Sequence, residues 1–114
     1  MKVSWGTCGG TSIWCGFHTV DLGHPTFNKE GVYIIWERGG RIFKIGKGQL
    51  RTKIAEDRKN PLLSSNSKLC ITWAPLEAKD RSGVEKYLVE KLLPQLPSEL
   101  TNASAVEVNL PWPY

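Results

Sequence analysis

The chain has 114 residues, of which 40% are hydrophobic and 23% charged, and a formal net charge of +4. That length gives one domain with a single core. No apolar run approaches the roughly 20 residues that span a bilayer, so no membrane partner is expected. The positive excess is compatible with a phosphate-rich partner without requiring one. Three cysteines imply no disulfide framework and predict a reducing, cytoplasmic setting. The opening Met1-Lys2-Val3-Ser4-Trp5 leads into glycine and threonine rather than a hydrophobic signal core, so secretion is not expected.

Residues 1–29 are irregular, punctuated by glycines and by Pro25. Ser12 to Leu22 could hold a strand, with Ile13, Cys15 and Phe17 alternating. The same stretch carries Cys8, Cys15, His18 and His24, with six, two and five intervening residues. This spacing fits zinc modules poorly, and the alternative is buried cysteines beside ordinary histidines.

Val32–Trp36 is a β-branched and aromatic run that predicts a buried strand. Gly39-Gly40 supplies a turn. Arg41–Ile45 is a second strand, with Ile42 and Lys44 expected to face opposite to Phe43 and Ile45. Gly46-Lys47-Gly48 then bends the chain into a helix over Gln49–Lys59. Leu50 and Ile54 mark its buried stripe, Lys53 and Asp57 lie on one flank, and Arg51 and Arg58 lie on the other. Asn60-Pro61 stops this helix. Ser64–Ser67 is a polar loop, and Lys68–Ala74 is a third strand.

A helix is expected from about Val84 to Leu93, with Val84, Leu88 and Leu92 on its apolar stripe and Val89 and Leu93 widening it. Glu85 falls inside that arc, whereas Glu90 points to solvent. A first-turn carboxylate stabilised by the helix macrodipole would need no inward position. An inward one costs desolvation unless it is paired or metal-bound. Val106, Val108 and Leu110 read as a short strand. Trp112 and Tyr114 in the proline-rich tail could form a contact surface or fold back on the body. The fold class expected is α+β, with a small, mainly antiparallel central sheet flanked by helices.

Gly31-Val32-Tyr33, ten intervening residues and then Lys44-Ile45-Gly46 resembles the paired signatures of the GIY-YIG nuclease family. The run Glu85-Lys-Tyr-Leu-Val-Glu-Lys-Leu-Leu-Pro94 resembles the glutamate helix of its repair-incision members. Val108-Asn109-Leu110-Pro111-Trp112 resembles the close of small stand-alone members of bacterial or phage type. The likeness covers residues 30–94, flanked by an extension over 1–29 and a tail over 98–114.

The resemblance implies a metal-dependent endonuclease that hydrolyses DNA phosphodiesters. Glu85 would hold Mg²⁺ or Mn²⁺, and Tyr33 as phenolate would deprotonate the attacking water. Lys44, with Lys53 or Arg51, would neutralise the phosphate, and Asn109 would be the family's asparagine. Two positions depart from the pattern: Lys44 stands for the second tyrosine, and Lys53 for the helix arginine. An ammonium beside Tyr33 would lower its pKa from about 10. Without the resemblance, Tyr33 reads as a core tyrosine with its hydroxyl at the edge. Two further readings are a degenerate domain that binds nucleic acid without cutting and a protein-interaction module.

Overall fold

A computed structural model describes residues 1–8, 13–98 and 102–112. Its strands are β1 (Cys15–Gly16), β2 (Glu30–Glu37), β3 (Ile42–Gln49) and β4 (Leu69–Pro75). Its α-helices are α1 (Leu50–Asp57), α2 (Pro61–Ser64) and α3 (Ala78–Leu92), and one 3₁₀ turn spans Pro25–Phe27. The four strands form one antiparallel sheet in the order β1-β4-β2-β3. This is the expected α+β class with an antiparallel sheet.

Both faces of the sheet are covered, which explains why its central strands are buried along most of their length. Tyr33, Ile35, Ile71 and Trp73 pack on the α1 side with Leu50 and Ile54. Val32, Ile34, Ile45 and Ala74 pack on the α3 side with Val84, Leu88 and Leu92. A buried side chain of this kind contributes about 1.5–3 kcal/mol. Both outer edges are tied down as well. Gly6 N–H donates to the Trp73 carbonyl beyond β1. On the far side, Gln95 and Leu96 N–H donate to the Ile42 and Phe43 carbonyls of β3. The chain leaving α3 therefore runs along the edge of β3.

The hairpin turn is where expected, with Gly39 and Gly40 both at positive φ (114° and 120°). The alternation along β3 is not. Ile35 pairs with Lys44 but Trp36 pairs with Ile42, so Phe43 is the extra residue of a β-bulge. Ile42 and Ile45 consequently share the α3 face. Phe43 packs on the α1 face, and Lys44, opposite Ile35, stands on that same face as Tyr33.

Other expectations are corrected. Ser12 lies outside the described residues, and only Cys15–Gly16 of the Ser12–Leu22 stretch is strand. Pro61 does not merely end α1. It opens the short helix α2, with the Asn60 side chain accepting from Leu62 N–H. α3 begins at Ala78, which makes Glu85 its eighth residue, far from the macrodipole's first turn. Leu93 caps α3 in the left-handed region (φ 51°) and is 74% exposed, so it does not widen the apolar stripe.

The tail around Val106–Leu110 forms no strand. It packs Val108 into the α3-side core, and Val106 N–H donates to the Gly83 carbonyl. Trp112 folds back, 4.8 Å from Trp36 and 6.2 Å from Trp14 between ring centroids. Tyr114 lies outside the described residues. Cys8 and Cys15 are joined in a disulfide and only buried Cys70 is free, so the cysteine count no longer argues for a reducing setting.

Candidate active site

The cleft of interest sits where β3, the edge strand, meets α1 and α3. Tyr33, Lys44, Gly46, Lys47, Lys53 and Glu85 line it, with Pro97 and Ser98 closing one wall, around a volume of about 100 Å³. The Ser98 hydroxyl donates to the Ile45 carbonyl (3.0 Å), which fixes that wall to the strand.

Two glycines make room for the site. Gly46 is the cross-strand partner of Tyr33. A Cβ at Gly46 would overlap Cζ and the hydroxyl oxygen of Tyr33 and lie 2.6 Å from its Cε1. The tyrosine ring therefore lies across the bare backbone of β3, with its hydroxyl end over Gly46. Gly48, at φ 130°, turns the chain into α1, and a Cβ there would press on the Lys53 stem at 3.1 Å. Gly46→Ala is expected to destabilise the fold by about 1–3 kcal/mol through overpacking. Urea unfolding checks this, and Gly46→Ala should cost much less in a Tyr33→Ala background, where the ring is gone.

Around this frame the charges form two pairs. Asp57, at the end of α1, is 5% exposed. Its Oδ2 accepts from the Tyr33 hydroxyl at 2.5 Å, and its Oδ1 pairs with Lys44 Nζ at 2.5 Å. Glu85, on α3, is 3% exposed, and its Oε1 pairs with Lys47 Nζ at 2.8 Å. Among the described residues, Lys53 is the one cleft lysine without a carboxylate partner. A second hollow of about 280 Å³ shares Lys47 and Lys53 with the cleft and adds Arg81, whose Nη1 pairs with Glu30 at 2.6 Å.

The expected effect on Tyr33 is reversed. Burial, then the neighbouring Asp57 carboxylate, hold its phenol well above the ordinary value. Lys44 does not act on the phenol as supposed, because Asp57 stands between them and takes its charge. Tyr33 is thus a buried phenol that donates a hydrogen bond to Asp57, not a phenolate.

Arg51 and Asn109 are elsewhere. Arg51 Nε donates to the Leu22 carbonyl (2.7 Å), holding the N-terminal segment. Asn109 Oδ1 accepts from Val3 N–H (2.7 Å) and its Nδ2 donates to the Val3 carbonyl (3.0 Å), joining the two ends of the chain. Tyr33, Lys44, Lys53 and Glu85 are brought together. Asp57 is the residue that sequence reasoning passed over as a functional group. Leu50, Ile54 and Asp57 are the buried positions of α1, an i, i+4, i+7 stripe that ends on a carboxylate.

The zinc alternative fails on its sulfurs, since Cys8 and Cys15 are bonded to each other. His18 Nε2 lies 2.6 Å from the Asn66 carbonyl, and His24 Nδ1 accepts from Thr26 N–H. Among the described residues no group of three or more His, Cys, Asp or Glu gathers anywhere. Mg²⁺ keeps several waters and takes one or two carboxylates plus substrate phosphates. Glu85 fits such a site once Lys47 moves off its oxygen.

Larger cavities lie elsewhere. Among the described residues, one of about 490 Å³ has Arg38 and Lys68 but no carboxylate, and one of about 530 Å³ has Asp21 and His24 but no lysine or arginine. Neither offers an acid and a cation together, as the small cleft does. No protein-family model, curated protein or solved structure matches the chain. No helix among the described residues is long and apolar enough to cross a membrane.

Proposed function

We propose that the chain is a divalent-metal-dependent endonuclease of GIY-YIG type that hydrolyses DNA phosphodiester bonds. The observation that carries this reading is that Tyr33, Lys53 and Glu85, from β2, α1 and α3, line one cleft. A phenol hydrogen-bonded to a carboxylate, a cation with no carboxylate partner among the described residues and a buried carboxylate are what hydrolysis of a phosphodiester asks for: a route for the water's proton, a phosphate anchor and a metal ligand.

Glu85 would hold Mg²⁺ or Mn²⁺, which supplies charge stabilisation at the leaving oxygen when bound. Lys53 meets the scissile phosphate from the N-terminal half of α1. Lys47, displaced from Glu85, turns its ammonium to the same phosphate. The adjoining hollow, with Arg81, extends the positive wall along the path of the backbone. Tyr33 receives a proton from the attacking water, and the proton it already carries needs somewhere to go.

Cleavage of a labelled duplex under single-turnover conditions tests the reading. The wild type should cut with Mg²⁺ or Mn²⁺ and stop on chelation. Lys53→Arg should cut several-fold faster, because a planar fork replaces a point charge on phosphate. A second reading, a nucleic-acid binder that does not cut, is favoured by the two closed pairs, Lys44–Asp57 and Lys47–Glu85. It requires salt-sensitive DNA binding with no product in any metal.

A further inference from the structure

We propose that Asp57 is the proton sink of this site, a positioning residue that works through Tyr33 by taking the phenol's proton as the phenol takes one from water. The proposal rests on the nuclease reading. Its ground is geometric. Asp57 is buried, one oxygen receives the Tyr33 hydroxyl and the other holds Lys44, and both of these partners line the cleft. An apolar residue at this position would complete the Leu50–Ile54 stripe. A buried carboxylate is costly unless it is paired, and this one is paired on both oxygens.

The attacking water gives a proton to the Tyr33 oxygen while Tyr33 gives its own proton to Asp57 Oδ2. The water oxygen bonds to phosphorus, the bond from phosphorus to the leaving sugar oxygen breaks, and that oxygen takes a proton from solvent. Tyr33 is a neutral phenol before and after. Asp57, now a neutral acid, returns its proton through Tyr33 to solvent once product has left.

The charge changes are complementary. Attack adds one negative charge to the phosphoryl group while protonation removes one from Asp57. Lys44, which also lines the cleft, is released from its partner as negative charge builds on the phosphate. A route through free phenolate is unfavourable here. Beside Tyr33 stand Asp57 and Glu56 on α1 and Glu85 on α3, all of which oppose its ionisation. The cations facing it are Lys44 and Lys47 of β3 and Lys53 of α1, and the first two are paired with carboxylates.

Two measurements test this. In protein labelled with ¹³C at tyrosine Cζ, assigned with Tyr33→Phe, the Tyr33 signal should stay that of a phenol to about pH 12. A titration near the ordinary value of about 10 overturns the proposal, whether or not the protein cuts DNA. In single-turnover cleavage with Mg²⁺, the wild-type rate should be level across neutral pH. Asp57→Asn should be about 10²-fold slower near pH 7 and rise about tenfold per pH unit, because Tyr33 must then ionise first. A wild-type rate that itself rises tenfold per unit overturns the sink and leaves the nuclease reading intact, and so does an Asp57→Asn rate equal to wild type. If Asp57→Asn does not fold, the wild-type profile and titration decide alone. A wild type that never cuts removes the nuclease reading and the sink with it.

Discussion

Glu85→Gln is expected to lower metal-dependent cleavage by about 10³-fold or more while leaving the fold and DNA binding in place. The magnitude follows from the several kcal/mol that a metal contributes to transition-state charge, at about 1.4 kcal/mol per tenfold in rate. Glutamine keeps the shape and a carbonyl to accept from Lys47, so the pair loses its charge without leaving a hole. Glu85→Ala should remove activity equally but also lower stability, because it strands Lys47, whose side chain is only 18% exposed. Titration of Mn²⁺ followed by paramagnetic resonance separates the roles. The wild type should bind the ion, more tightly with DNA present, and Glu85→Gln should not. If Glu85→Gln cuts at the wild-type rate, Glu85 is a structural partner of Lys47 and no more.

Tyr33→Phe should lower the cleavage rate by about 10²–10⁴-fold, the usual contribution of a positioned proton acceptor. DNA affinity should hold, since Lys53 and Glu85 are untouched. The same substitution should alter the pH dependence of stability in a defined sense. Tyr33 has its folded-state pKa raised by burial and by Asp57. Above about pH 10 an unfolded tyrosine loses its proton while the folded one keeps it. The folded state then binds more protons, so stability is fully present below about pH 10 and falls as pH rises above it. Phenylalanine has no such proton, so Tyr33→Phe should lose less stability than wild type between about pH 10 and 11.5 in urea unfolding. A wild-type curve parallel to that of Tyr33→Phe would mean that the phenol is not held protonated.

Much of the frame was legible because hydrophobic period is a direct image of burial. The strands around Val32–Trp36 and Leu69–Trp73, the α1 stripe at Leu50 and Ile54 and the inward Glu85 all follow from it. What escaped depends on contacts between distant residues. Tyr33 and Lys44 were expected together, but a bulge at Phe43 sets Ile42 with Ile45 on one face and Phe43 with Lys44 on the other, and period alone cannot announce an inserted residue. The disulfide needs Cys8 and Cys15 to meet, which an odd count obscures. The tail's alternating valines read as a strand, yet the segment packs against α3 instead of joining the sheet.

Asp57 was legible in principle. A carboxylate where the stripe should be apolar marks Asp57, at i+7 from Leu50 on α1, just as it marks Glu85 on α3. Arg51 and Asn109 illustrate the reverse. Their residue types suited a phosphate site, but backbone carbonyls and the N-terminal segment claimed them.

The activity we propose for the cleft around Tyr33 and Glu85 is hydrolysis of DNA. Supercoiled plasmid incubated with Mn²⁺ and wild-type protein, beside Glu85→Gln purified identically, tests it most directly. Nicked circles with the wild type, and intact supercoils with a Glu85→Gln protein that still binds the plasmid, are the result predicted. Equal nicking by both proteins, or none by either, would contradict it.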